Sequence, residues 1–384
     1  MPADSQLPAS KKSIPIVYMI DYLVQGGGME NQLIWLLRGL DRDMFNPRLV
    51  CLRQREPGDV RDVGCPIDYL GVTKLASFKA AKALGGLVSL LREHQAQILQ
   101  IFSLDSNILG VLAGRLAGVP NIVVCRRDMG LWYGNGPLRL VNRINRMAAN
   151  CLVNSEAVKR SVVEHETFEA DQVSVVYNGI PAPPPPGNPP ITRTELGIPE
   201  DVPLIGIVAN LREVKRHDRL VRVLDQMSTT NAHLLIVGTG PQEQPIRQQV
   251  DELGLTDRVH FYYTVTRTLE VMKLFDVGAL VSESEGLSNV LVEYALTGVP
   301  AVVFDTGGNR EVVIDGETGY LIDCFDETKM AEKIDLLLND DTLLQRQSEN
   351  ALSMAPEKFS LDKMVESTQD YYLRVVSESR HGDR

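Results

Sequence analysis

Gly278-Ala-Leu-Val-Ser-Glu-Ser-Glu-Gly-Leu-Ser-Asn-Val-Leu-Val-Glu-Tyr-Ala-Leu-Thr-Gly-Val-Pro-Ala-Val-Val-Phe304 decides the fold. Small and apolar residues form a strand that ends at Val281. A loop follows with Glu283, Glu285 and Gly286. A helix opens at Ser288 or Asn289 and carries Glu293 within its first two turns. A second strand then runs from Pro300 to Phe304. Neither strand alternates polar with apolar residues, as expected of strands buried on both faces of a parallel sheet.

The same rhythm extends in both directions. Upstream lie the apolar runs Ile14–Ile20, Arg48–Leu52, Ile98–Phe102, Asn121–Cys125, Cys151–Val153 and Val173–Val176. Closer to the opening stretch lie Leu204–Ala209, His233–Val237 and Val259–Tyr262, and beyond it Gly319–Ile322. Helical patterns separate these runs. In Glu30–Leu40, Leu33, Leu36, Leu37 and Leu40 fall on one stripe. The predicted class is therefore α/β, with two doubly wound Rossmann-like units. The segment from Ile180 to Pro190 is so rich in proline that it can form neither a helix nor a central strand, and reads as a linker. Residues 1–187 are assigned to the first unit and 188–359 to the second. The stretch from Ser360 to Val376 is helical in pattern, with Met364, Tyr371, Leu373 and Val376 apolar. It is either a helix of the second unit or one that crosses back to the first.

With 384 residues, 44% of them hydrophobic, each half can bury a core. The net charge of -11 argues against a general nucleic-acid binder. The 5 cysteines and 6 histidines are scattered and show no zinc-ligand spacing. The cysteines read as buried, reduced thiols of a cytoplasmic protein. No apolar core precedes Lys11 and Lys12, and no run of about 18 apolar residues occurs. Neither a secretory signal nor a spanning helix is expected.

Four strand-to-loop junctions could carry chemistry. Gln25-Gly-Gly-Gly-Met-Glu30 joins a strand to a helix, and its glycines let a ligand approach free helix N–H groups. The G-x-G-x-x-G dinucleotide spacing is absent. Asn210-Leu-Arg-Glu-Val-Lys215 places Arg212 and Lys215 where both can converge on one anion at a strand end, and Arg216 and His217 read as an extension of that positive patch. Val237-Gly-Thr-Gly-Pro-Gln242 gives a glycine turn at Gly238 and Gly240. In the opening stretch, the helix N-terminus can hold a diphosphate between two carboxylates suited to the diols of a sugar and a ribose.

Together these elements resemble family four of the retaining glycosyltransferases, the glycogen-synthase/sucrose-synthase-like group 1 enzymes of GT-B fold, over about Ile14 to Asp323. Val176-Tyr-Asn-Gly-Ile180, the E-x7-E element Glu285–Glu293, Gly298-Val-Pro300 and Gly307-Gly-Asn-Arg-Glu311 add to the match. The resemblance implies two Rossmann-like domains facing across a cleft. It implies transfer from a nucleoside-diphosphate sugar, with a UDP-sugar the expected donor. The acceptor would be a saccharide or a lipid-linked molecule in bacterial glycan or glycolipid synthesis. Carried over by motif, Glu285, Arg212 and Lys215 are the catalytic candidates. Gly27, Gly28, Asn210, Gly238, Gly240, Gly286, Leu287, Ser288, Asn289, Val290 and Glu293 are the donor-binding candidates. No metal and no cofactor are implied, because Arg212 and Lys215 supply the positive charge.

The acceptor side departs from the family. Where many relatives carry histidines, this chain has Gln100, Phe102, Arg127 and Asp128. Arg126, Arg127, Asp128 and Asn178 are the acceptor-side candidates, with an anionic acceptor or a structural ion pair as the two readings of the charges. Phe261-Tyr-Tyr263 stands where relatives often place a glycine. Lys74, Lys79 and Lys82, and Arg139, Arg143 and Arg146 with Leu138, Leu140, Val141 and Ile144 between, read either as solvated faces or as a peripheral contact with the inner face of a membrane. The competing functions are a non-catalytic nucleotide-sugar sensor or scaffold, and a GT-B epimerase.

Overall fold

The computed structural model describes residues 13–23, 27–54, 62–130, 135–183, 190–264 and 267–382. The first unit runs β1 (Ile14–Ile20), α1 (Gly28–Gly39), β2 (Phe45–Cys51), β3 (Ile67–Tyr69), α2 (Phe78–Glu93), β4 (Ile98–Ile101) and α3 (Leu104–Ala117). It continues through β5 (Asn121–Arg126), α4 (Asn135–Asn145), β6 (Asn150–Val153), α5 (Glu156–His165) and β7 (Val173–Val175). The second begins with β8 (Leu204–Val208), α6 (His217–Gln226), β9 (His233–Val237), α7 (Glu243–Glu252), β10 (Val259–Tyr262), α8 (Thr268–Met272) and β11 (Val277–Leu280). It closes with α9 (Asn289–Thr297), β12 (Ala301–Phe304), β13 (Gly319–Ile322), α10 (Glu327–Leu338), α11 (Asp341–Phe359) and α12 (Leu361–Gly382).

The strands form two wholly parallel sheets, ordered β3-β2-β1-β4-β5-β6-β7 and β10-β9-β8-β11-β12-β13. Strand order reverses between β1 and β4 in the first sheet and between β8 and β11 in the second. The crevice at the carboxyl ends of such a pair is where open α/β sheets bind ligands. Continuous apolar strands are buried on both sides: every residue of β4, β11 and β12 is buried. On α1, the stripe Leu33, Leu36, Leu37 and Leu40 is buried as its spacing predicts.

The last helix resolves the open alternative. α12 packs back on the first unit, against α1 and β5. Tyr18 of β1 donates to the Tyr372 hydroxyl at 2.9 Å, and Tyr372 in turn donates to Gln100. Met364, Tyr371 and Val376 are buried, whereas Leu373 is exposed. The chain therefore crosses between the units twice, and the crossings pair. Ile180 N donates to Phe359 O at 2.9 Å, and Leu361 N donates to Ile180 O at 3.1 Å. Most of the proline-rich linker, residues 184–189, lies outside the described residues.

The membrane reading of α4 is narrowed here. Val141 and Ile144 of α4 are buried against the protein core, while Leu140 stands exposed among Arg139, Arg143 and Arg146. The side chain of Leu138 lies outside the described residues. Among the described residues no helix is long and apolar enough to cross a membrane.

Candidate active site

The site lies at the reversal between β8 and β11, where the first unit closes over it. α1 and α9 point their N-termini at one spot from opposite units. Their N-cap residues, Gly27 and Ser288, make no side-chain capping bond, so neither helix end is capped from that position; at α1 the Glu30 carboxylate lies against Gly27, where an added Cβ would stand 2.0 Å from its Oε2. A methyl group at Gly28 would stand only 3.2 Å from Asn289 Nδ2. Glycine there lets the two helix ends approach. Gly286 plays the same part below the site, since a Cβ on it would lie 2.3 Å from the carbonyl oxygen of Arg127.

Two cavities share the wall Val208-Ala-Asn210. The smaller, about 290 Å³, lies between the helix ends and is lined by Gly28, Arg127, Lys215, Glu285 and the segment Leu287–Val290. The larger, about 420 Å³, continues toward β10 and is lined by Gly238, Glu293, Tyr263, Arg267 and Glu270. Asn31 and Trp35 of α1 close it from the other unit. Sequence reading passed over these last two residues. Their signal was available: Gly28, Asn31 and Trp35 are three and seven apart, on one helix face.

Within the smaller cavity, Lys215 Nζ meets Glu285 Oε1 at 2.5 Å. Glu293 has a different environment. No cation pairs with it among the described residues, and burial pushes its carboxyl up to about 7. Its position is fixed by its neighbour Tyr294, whose buried hydroxyl accepts from Val208 N and donates to Gly206 O, both at 3.1 Å. Gly240 lies off the cavities, where a Cβ would meet Leu211 O at 2.4 Å.

Arg212 does not join Lys215. It is exposed and lines a separate cavity with Glu213, Arg216 and His217. The positive patch read into this segment is also corrected. Arg216 pairs with Asp218 and Glu283. His217 is buried, and burial holds its pKa down to about 4, so it carries no charge at neutral pH.

The acceptor-side candidates divide. Arg126 is a correction: it is buried, and its guanidinium grips Glu166 at 2.7 and 3.0 Å, a structural ion pair away from the cleft. Asp128 is exposed, and its carboxylate accepts from Gly130 N at 2.8 Å. Arg127 and Asn178 do reach the cleft. Arg127 Nη1 donates to Asn178 Oδ1 at 2.5 Å, and Asn178 Nδ2 donates to Asn289 Oδ1 at 2.7 Å across the units. Successive strand residues point to opposite faces, which explains the split between Arg126 and Arg127.

Comparison with known proteins agrees with this architecture. A family model for glycosyl transferases group 1 matches residues 190–354, and one for a glycosyl transferase 4-like domain matches residues 27–179. Two Rossmann-like sheets meeting over such a cleft define the GT-B class, and the chain belongs to the group 1 glycosyltransferases. It is 33% identical over 191 residues, half of each chain, to N-acetyl-alpha-D-glucosaminyl L-malate synthase of Bacillus anthracis. It is 28% identical over 281 residues to a D-inositol 3-phosphate glycosyltransferase of Mycolicibacterium smegmatis, covering 70% of this chain and 62% of that one. The chain spans about half the length of the first curated relatives it matches. The solved structure of Anabaena HepE in complex with UDP superposes with a TM-score of 0.81 at 21% identity, over 94% of this chain and all of that one.

Proposed function

We propose that the chain is a retaining glycosyltransferase that moves a sugar from a UDP-sugar to a saccharide or lipid-linked acceptor. One observation carries this reading: two helix N-termini from opposite units converge on the cavity that holds the Lys215–Glu285 pair. A diphosphate placed there meets N–H donors from both sides and the Lys215 ammonium. Glu285 is positioned for the donor sugar hydroxyls. Glu293, in the adjoining larger cavity, is positioned for the ribose diol, with the base beyond it beside Tyr263. The UDP complex of HepE supports UDP as the nucleotide.

The reaction keeps the anomeric configuration if acceptor and leaving group share one face of the donor. The acceptor oxygen forms its bond to the anomeric carbon as the bond from that carbon to the phosphate oxygen breaks. The acceptor proton passes to the departing phosphate. The protein contributes position and fixed charge. Lys215 and the helix ends meet the growing diphosphate charge, so no metal ion is required by this scheme. An acceptor presented at a membrane is supported by Phe78, 88% exposed, with Lys74, Lys79 and Lys82 exposed around it.

The test is UDP release from UDP-glucose and related donors with excess chelator present. The wild-type chain is expected to turn over. Glu285→Ala should lower kcat by about 10²–10³-fold, the size found for loss of a transition-state contact. Near-wild-type turnover in that variant would remove Glu285 from the mechanism. UDP binding without any turnover would favour a sensor.

A further inference from the structure

Arg126 and Arg127 are adjacent, yet only one is neutralised. Arg126 is clamped by Glu166. Arg127 faces the cleft, and among the described residues no carboxylate pairs with it; the one hydrogen-bond partner of its guanidinium among them is the neutral amide of Asn178. Its Nε is fully buried and makes no hydrogen bond. Its guanidinium lies 5.4 Å from the centre of the Phe102 ring, which offers a π-face but no charge. A partly buried guanidinium with donors to spare is costly unless an anion completes it. Lys215, the other cation of this cavity, is already paired with Glu285.

We propose that Arg127 is a specificity residue that binds a carboxylate or phosphate group on one of the two sugar substrates, beside the point of transfer. The inference rests on the donor site assigned above to the N-terminus of α9. A planar guanidinium suits two-point binding of either anion. Arg127 reaches Asn289 of that helix through a single side chain, Asn178. The bound anion therefore sits next to the diphosphate rather than on it. The group can arrive in two ways, as the C6 carboxylate of a nucleotide-linked uronic acid or as an anionic acceptor.

Calorimetry on the full chain separates the sources. One arm compares UDP-glucuronate with UDP-glucose. The other titrates inorganic phosphate and malonate into protein saturated with UDP. A preference of tenfold or more for UDP-glucuronate identifies the donor as the source. Saturable binding of phosphate or malonate to the UDP-loaded chain identifies the acceptor. Either signal should vanish in Arg127→Met and survive in weakened form in Arg127→Lys, each read relative to the same variant's own UDP affinity. The inference is overturned if wild-type protein binds UDP normally but shows neither signal, or if Arg127→Met, with UDP binding intact, keeps it. Failure of wild-type protein to bind UDP overturns the donor assignment instead.

Discussion

Glu285 and Glu293 stand two turns apart on one loop-helix segment, yet they have different jobs to do. Glu285 has a cation within 2.5 Å. Glu293 has no ion-pair partner among the described residues, and its carboxyl is pushed up to about 7 by loss of water. Ionisation of Glu293 suits acceptance of two ribose hydroxyl bonds, so nucleotide binding should draw a proton off it. The sign follows. In the free protein the group holds its proton at pH 6, and the fraction ready to bind grows as pH rises toward 7 and levels off above it. The same raised value means that the free folded chain loses stability as pH rises from the ordinary glutamate range through about 7. UDP affinity is therefore expected to strengthen several-fold between pH 6 and pH 8, with proton release on binding near pH 6. UDP's own terminal phosphate titrates nearby, so the measurement is a difference. Calorimetry in two buffers of unlike ionisation enthalpy should show less proton release and a flatter profile for Glu293→Gln. Identical profiles would mean that Glu293 does not meet the ribose as a carboxylate.

At the scale of elements, α9 is the piece that everything else in the donor site depends on, and Tyr294 holds it. The hydroxyl of this fully buried side chain bridges Val208 N and Gly206 O of β8. Tyr294→Phe keeps the ring and leaves both backbone groups short of a partner, at a cost of about 1–3 kcal/mol. A melt should show a fall of about 2–4 °C for each kcal/mol in a unit of this size, with UDP affinity falling alongside because Asn289 and Glu293 ride on the same helix. An unchanged melt would mean that the bridge contributes nothing. Much at this scale was legible in the sequence. β1, β9, β10 and β13 span the apolar runs they were read from, since continuous apolar character marks a strand buried on both faces. β3 was not legible: Ile67-Asp-Tyr69 is a half-buried edge strand held partly by the Arg48–Asp68 ion pair, with no apolar run to betray it. The split between Arg126 and Arg127 was beyond reach for a similar reason. Alternation says that the two diverge, but not that Glu166 waits on one side.

Taken whole, the molecule is held closed by contacts that no single motif announces. Glu311, beyond β12 in the second unit, caps α5 of the first. Its Oε2 and Oε1 accept from Glu156 N and Ala157 N, each at 2.8 Å. A carboxylate at a helix N-terminus is favoured by the free N–H groups and by the dipole together. Beside it, the hydroxyl of Ser155 donates to Gly286 O at 3.0 Å while accepting from Val158 N at 3.1 Å. Lys358, near the second chain crossing, donates to Glu311 O at 2.7 Å. The clasp thus joins both units and the hinge region, and it closes the cleft from the side of Gly286 without touching the donor cavities. Charge-assisted hydrogen bonds of this kind contribute about 1.5–3 kcal/mol, a factor of about 10–150 in the ratio of closed to open molecules at 1.4 kcal/mol per decade. Glu311→Ala should therefore open the cleft. Small-angle scattering should report a larger radius of gyration without donor, and the KM for a UDP-sugar should rise several-fold with a smaller change in kcat. Glu311→Gln keeps a single neutral acceptor oxygen and should fall between Glu311→Ala and wild type. If Glu311→Ala scatters like wild type and keeps its KM, closure depends on the α1–α9 approach alone and the clasp only caps α5.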